Sequence, residues 1–161
     1  MYDAFILAAG FGTRLRPLTD ELPKPLVPVC GVPMLAYALA QCAHFGLTKV
    51  VVNAHWKAEK LAAWAGEHEG CEVSISNELP EILGTGGGLH RVRDQLAERF
   101  VVLNGDVLND VDLGCLCDEI PSGGGVLALR AHGADAERYG IVAADETNTL
   151  VRLREIASAV P

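Results

Sequence analysis

An apolar run from Ala4 to Ala9 opens directly into two glycines, Gly10 and Gly12, and then into a stretch punctuated by Pro17, Pro23, Pro25 and Pro28. No other junction restricts the fold as strongly. A short apolar run without helical caps reads as a strand buried on both faces, as in a parallel sheet. Glycines lack Cβ atoms, so the backbone can turn sharply after the strand and bring successive N–H groups close to anionic oxygens. The prolines forbid a long helix at the turn. Arg14 and Lys24, set within this stiffened loop, supply the positive charge that polyphosphate requires.

Two common phosphate loops do not fit. The Walker form needs a Lys immediately after its second glycine, and Thr13 stands there. The dinucleotide form needs a third glycine three residues after the second, where this chain has Leu15, and a helix that starts at the turn. What remains is an extended loop with its cations at Arg14 and Lys24.

The chain of 161 residues is expected to form one domain over 1–161, with enough apolar content for a real core. A net charge of −8 argues against nucleic acid or an anionic membrane as a partner, because both favour a basic surface. A phosphate site must therefore be locally positive. Cys30, Cys42, Cys71, Cys115 and Cys117 are odd in number and hold no C-x-x-C pair, so neither a disulfide framework nor a zinc site is indicated. With no signal peptide and no apolar run long enough to span a bilayer, a cytoplasmic location is the expectation.

Downstream, strands alternate with helical stretches. Pro33 suits the first turn of a helix whose apolar face runs through Leu35, Leu39 and Cys42 and which ends near Gly46. Strands are expected at Val50–Asn53, Cys71–Ser76 and Arg99–Leu103, and helices at Ala58–Ala65 and Leu89–Glu98. This alternation predicts an α/β fold, Rossmann-like, with a mostly parallel sheet, helices on both faces and ligands outside the carboxyl ends of the strands. The loop at 10–28 and the turn Asn104–Gly105–Asp106 both lie at such ends and can face one cleft. Asp106 has two readings: an oxygen ligand for a hard divalent cation, or the start of a turn. Asp110 and Asp112 read as turn and N-cap residues.

The string from Leu7 to Met34, LAAGFGTRLRPLTDELPKPLVPVCGVPM, resembles the signature of the sugar-1-phosphate nucleotidyltransferases, L-A-A-G-x-G-T-R-L-x-P-L-T followed by P-K-P-L-x-P-V. The likeness continues through LGTGGGL at 83–89, VLNGDV at 102–107 and YGIV at 139–142. It implies a glycosyltransferase-A-like nucleotidyltransferase fold and transfer of a nucleotide from a nucleoside triphosphate to a sugar-1-phosphate. By the resemblance, Leu7, Ala8, Ala9, Gly10, Gly12, Thr13 and Arg14 line the nucleotide. Gly84 and Thr85 contact the base through their backbone, and Asp106 binds a catalytic Mg2+. Lys24 bridges the two phosphates, with Arg14 on the departing pyrophosphate.

Many family members place a Gln a few residues before the G-T pair, where this chain offers Glu78 or Glu81. A carboxylate only accepts hydrogen bonds, which suits the N–H donors of guanine better than uracil. Surface solvation of either Glu is the competing reading. Asn53, at a strand end, is a candidate for sugar hydroxyls, and Tyr139 with Gly140 matches a Y-G pair near the family's sugar pocket. Glu155 lacks the Lys that follows it in many members, and His55 and Trp56 read first as packing residues. The segments resemble both the mannose-1-phosphate guanylyltransferases and the N-acetylmuramate-1-phosphate uridylyltransferases, and the two stay open. Family members are usually longer, so a C-terminally incomplete domain that binds nucleotide without turning it over is a second reading. A transferase acting on phosphocholine, which shares the first loop, is a third. Oligomeric state is open as well.

Overall fold

The computed structural model describes residues 2–129, 142–153 and 156–157. The chain divides into two compact units, Met1–Val126 and Leu127–Pro161. The first is built on a four-stranded sheet of β1 (Asp3–Leu7), β4 (Lys49–Ala54), β5 (Glu72–Asn77) and β6 (Phe100–Asn104), in the order β5-β4-β1-β6. All three pairings are parallel. Successive strands run outward from β1 through β4 to β5, and β6 then returns to the other side of β1. The order reverses beside β1, which is where an open α/β sheet forms its ligand crevice.

Strand residues point alternately to the two faces and so divide the core in two. Ala4, Ile6, Val50 and Val52 lie in one cluster with α2 (Met34–His44), α3 (Ala58–Gly66) and α5 (Leu113–Asp118), through Leu35, Leu39, Cys42, Leu61 and Leu113. Phe5 and Val51 lie in the other, with Val92 of α4 (Gly84–Val92), which Leu89 and Leu96 flank. Helices therefore cover both faces, as the alternation of apolar runs predicts. Asp112 is the N-cap of α5: its Oδ1 accepts the Cys115 N–H at 2.9 Å, and that bond holds its carboxyl below the usual carboxylate range.

The proline-rich segment behaves as a stiff loop. Its one α-helix, α1 (Leu18–Glu21), has four residues, and 3-10 turns at Thr13–Leu15 and Lys24–Leu26 flank it. Beyond it, β2 (Pro28–Val29) and β3 (Val32–Pro33) form an antiparallel hairpin. Its two turn residues, Cys30 at φ 51° and Gly31 at φ 80°, both occupy the left-handed region that such a turn demands. Strands of two residues are too short for a periodicity to show, so the hairpin is absent from the sequence reading.

One helix departs from expectation. The sequence places it at Leu89–Glu98, whereas α4 begins at Gly84 and ends at Val92, followed by a 3-10 turn at Arg93–Gln95. The run GTGGG is thus helical, although each interior glycine costs about 1 kcal/mol against alanine. Tertiary contacts described below offset that penalty.

The second unit, taken by itself, holds β7 (Val142–Ala144), β8 (Leu150–Leu153) and β9 (Ile156–Ala157) in an antiparallel sheet of that order. Asp145 closes the β7–β8 turn. Its Oδ1 accepts from the Thr147 hydroxyl at 2.7 Å and from the N–H groups of Thr147 and Thr149 at 2.8 and 3.0 Å, which holds its carboxyl below the ordinary value.

The described cysteines are free, in line with the sequence reading. Burial, and then the neighbouring Cys71 thiol, push Cys42 up to about 12. Cys30 and Cys115 are exposed, but the Asp112 side chain raises Cys115. Because the thiolate is the reactive form, labelling at pH 8 followed by peptide mapping is expected to reach Cys30 first and Cys42 only after denaturation. Early native labelling of Cys42 would contradict this packing.

Candidate functional site

The ends of β1 and β6 meet side by side. The Gly105 N–H donates to the Leu7 carbonyl at 2.9 Å, and a Cβ on Gly105 would lie 3.0 Å from Ile6 Cγ2 and 3.2 Å from the Leu7 oxygen. A side chain there would push β6 away from the phosphate loop. Asp106, the next residue, is thereby brought over that loop, and its Oδ2 accepts a hydrogen bond from Lys24 Nζ across a separation of 82 residues. The turn that presents Lys24 is anchored by Pro23, Pro25 and Leu26, all buried.

The phosphate loop itself is exposed from Thr13 to Leu18, Arg14 included. Among the described residues no carboxylate pairs with Arg14. Gly10 is exposed, and a Cβ on it would meet nothing within 4 Å, so open space lies above the first turn. Gly12 is different. Its φ of 63° is left-handed, and a Cβ would stand 2.8 Å from Thr19 Cγ2 and 3.0 Å from Lys24 Cβ. Thr19, buried at 1% exposure, donates its hydroxyl to the Gly12 carbonyl at 2.9 Å. Trp56 in turn donates its indole N–H to the Thr19 carbonyl at 2.8 Å, and its ring lies edge-on to Phe11. Trp56 therefore braces the loop, as does His55, which is edge-on to Phe11 and bonds the Glu78 carbonyl through Nδ1 at 2.6 Å. Both agree with a packing role.

Asn53 and Glu78 are placed otherwise than the sequence reading has them. Asn53 is 3% exposed and Glu78 fully buried, so the described structure presents neither as an open ligand contact. Asn53 Oδ1 accepts the Ala8 N–H at 2.6 Å, and its Nδ2 donates to Glu78 Oε1 at 2.7 Å. Glu78 Oε2 accepts the Leu83 N–H at 2.8 Å, just before α4. The carboxylate read from the sequence as an acceptor for guanine thus faces inward, since a buried charge is stable only when its oxygens are bonded within the protein. The Ala8 N–H is likewise committed to Asn53 rather than to a phosphate. Gly84, Thr85 and Gly86 are exposed at the start of α4, where unpaired N–H groups and the helix dipole favour an anion or a polar base edge. Gly84 takes φ 70° to turn the chain into the helix.

No cluster of three His, Cys, Asp or Glu side chains suited to a metal occurs among the described residues. Magnesium commonly binds through one or two carboxylates, with substrate phosphates and water completing its shell. The half-buried Asp106 carboxylate fits that pattern and would hold such an ion through an oxygen that Lys24 now occupies.

The family model described as Nucleotidyl transferase matches residues 3–156. The chain belongs to that family. It is 35% identical over 156 residues to a mannose-1-phosphate guanylyltransferase of Mycobacterium tuberculosis, covering 95% of this chain and 44% of the relative. It is 40% identical over 112 residues to an N-acetylmuramate alpha-1-phosphate uridylyltransferase of Neisseria meningitidis, covering 68% and 48%. The crystal structure of Yersinia pseudotuberculosis HddC complexed with GMP-PN superposes with a TM-score of 0.58 at 32% identity, over 66% of this chain and 48% of that one. The chain thus spans less than half the length of these relatives.

For this nucleotidyl transferase chain, the structure brings Gly10, Gly12, Thr13, Arg14, Lys24 and Asp106 to one edge of the sheet, and the buried bridge ties Gly84 and Thr85 to the same region. Leu7 and Ala9 lie beneath as strand end and core. Tyr139, Gly140 and Glu155 lie outside the described residues. Thr19 and Gly88 escape a reading by residue type, because a threonine and the last glycine of a run announce no contact. Gly88 sits under the bridge: a Cβ there would be 2.5 Å from Glu78 Oε1 and 3.0 Å from Asn53 Nδ2. Gly88→Ala is accordingly expected to destabilise the chain by about 1–3 kcal/mol, as overpacking does, despite alanine's better helix propensity. Denaturant titration decides it, and a stabilised variant would show that the bridge has room to move.

Proposed function

We propose that this chain is the nucleotide-binding part of a sugar-1-phosphate nucleotidyltransferase, which joins a nucleoside triphosphate to a sugar-1-phosphate and releases pyrophosphate. The observation that carries this reading is the Lys24–Asp106 pair, a loop cation and a metal-type carboxylate held together at the reversal point of the sheet. In the reaction a phosphate oxygen of the sugar-1-phosphate attacks the α-phosphorus in line as the bond to pyrophosphate breaks. The protein's task is to hold two anions that repel each other and to neutralise the charge that builds between them. The exposed turn from Gly10 to Arg14 receives the triphosphate, and Arg14 faces the departing pyrophosphate. Lys24, once parted from Asp106, lies between the α-phosphate and the attacking phosphate. Asp106 would hold Mg2+, which supplies charge neutralisation at the α-phosphate. Gly84 and Thr85 meet the base through the backbone.

Mannose-1-phosphate with GTP and N-acetylmuramate-1-phosphate with UTP are the substrate pairs to test first, because relatives of both names match the chain. With Glu78 buried, the lean toward guanine passes to the exposed Glu81. A location in the cytoplasm suits these substrates, and among the described residues no helix is long and apolar enough to cross a membrane. The second reading is a domain that binds nucleotide without turnover. Pyrophosphate release, rather than nucleotide binding, separates the two.

Lys24 and Asp106 are 26% and 32% exposed, and ion pairs in partial contact with water contribute little to stability. Lys24→Ala should therefore keep the fold by circular dichroism while lowering pyrophosphate release about 100-fold or more, the scale seen when one electrostatic stabiliser is removed. Near-normal turnover would sink the assignment. Asp106→Asn should raise the magnesium concentration needed for nucleotide binding, measured by calorimetry across a metal titration. An unchanged requirement would move the metal elsewhere.

A further inference from the structure

Between the phosphate loop and the start of α4 runs a chain of three hydrogen bonds whose polarity is determined at both ends. The Ala8 N–H at one end and the Leu83 N–H at the other are donors, so each end must present an acceptor. Asn53 meets this demand by accepting through Oδ1 and donating onward through Nδ2, and Glu78 by accepting from both sides through its two oxygens. Because Ala8 can only donate, the Asn53 amide has one orientation. No side chain other than a carboxylate fits the last position as the bridge stands. Neither residue is exposed beyond 3%, and Gly88 gives the bridge its space. The Glu78 carbonyl also bonds His55 Nδ1, whose ring meets Phe11 of the phosphate loop, so a second contact ties the same two segments.

We propose that Asn53 and Glu78 are positioning residues that hold the phosphate loop and the glycine-rich start of α4 in one spacing, so that a triphosphate in the first and a base on the second can be bound by a single nucleotide. This rests on the nucleotidyltransferase reading of the site. Neither side chain touches the ligand; each acts through the backbone it holds, Asn53 at Ala8 and Glu78 at Leu83.

The bridge can be broken and rebuilt. Glu78→Gln places an NH2 group against either the Leu83 N–H or the Asn53 Nδ2, two donors face to face. Asn53→Asp alone sets two carboxylates against each other. Combined, the substitutions restore every bond: Ala8 donates to the new carboxylate, the new amide donates back to it, and Leu83 donates to the amide oxygen. The carboxylate moves from position 78 to position 53, the neighbouring member of the bridge, and the spacing is preserved.

The experiment measures magnesium-dependent binding of GTP, UTP, CTP and ATP by calorimetry to the unaltered chain, to each single variant and to the double variant. Residue-resolved amide exchange at Ala8 and Leu83 is followed in parallel. Glu78→Gln is expected to weaken nucleotide binding about 10- to 100-fold, the range for loss of a group that orients contacting residues, and to speed exchange at both amides. The double variant is expected to recover most of the affinity and both protections. If Glu78→Gln or the double variant fails to fold, the other variant still decides the matter through its affinity. Equal affinity in all four proteins would overturn the inference while leaving the functional reading intact. So would loss that the double variant does not recover, which would instead make the Glu78 charge a ligand contact. Binding of none of the four nucleotides by the unaltered chain would overturn the functional reading, and with it the ligand-positioning role.

Discussion

Two backbone N–H groups, those of Ala8 and Leu83, belong to no strand or helix ladder, and each donates to a side chain that water does not reach. A buried polar group left unpaired costs about 1–3 kcal/mol, so the buried Ala8 N–H needs an acceptor and the buried Glu78 carboxylate needs donors. Asn53 and Glu78 meet both needs with one continuous bridge. The geometry around them follows from this requirement. Gly88 must lack a side chain, α4 must begin where Leu83 is held, and the loop after β1 must leave the sheet at the angle Ala8 allows. Taken alone, a bridge of buried polar groups adds little net stability; its consequence is uniqueness, because a half-satisfied network is worse than none.

The same bridge accounts for a helix that composition disfavours. Four of the first five residues of α4 are glycines; Gly84 turns the chain in, and the three that follow it carry a combined propensity penalty on the order of 3 kcal/mol. Local preference alone would leave this segment as coil. Burial of Val92 with Phe5 and Val51, capture of the Leu83 N–H, and close approach of Gly88 to the bridge turn the balance. Glycine here serves contact rather than flexibility at position 88. At 84 and 86 it leaves the first turn bare and open to a ligand.

Charge is organised on the same scale. An overall charge of −8 would repel a polyphosphate at long range, yet screening confines that repulsion to roughly 10 Å in ordinary salt. Within that distance of the sheet edge, what matters is Arg14 standing exposed and Lys24 paired with Asp106. Since that pair is only partly buried, it can open to a competing anion and cation at small energetic expense, and so a resting contact can become two separate ligand contacts.

Most of the scaffold was legible in the residues themselves. Apolar runs at Ala4–Ala9 and Val50–Asn53, the Leu35–Leu39–Cys42 stripe and the Pro-rich loop have local physical signatures, and each element appears within a residue or two of where those signatures put it. The meeting of the loop that carries Arg14 and Lys24 with the turn at Asp106 was legible because both follow strand ends, and the parallel order of the sheet brings such ends together. The roles of Asn53, Glu78, Thr19 and Gly88 were not. Whether a carboxylate faces a ligand or the protein interior depends on which donors lie around it, and those donors come from segments far apart in sequence. The chain by itself determined where charge and flexibility would sit. The tertiary structure alone decided which polar groups were consumed in holding the loops and which were left free to bind, because hydrogen-bond partnership is a property of three-dimensional neighbours.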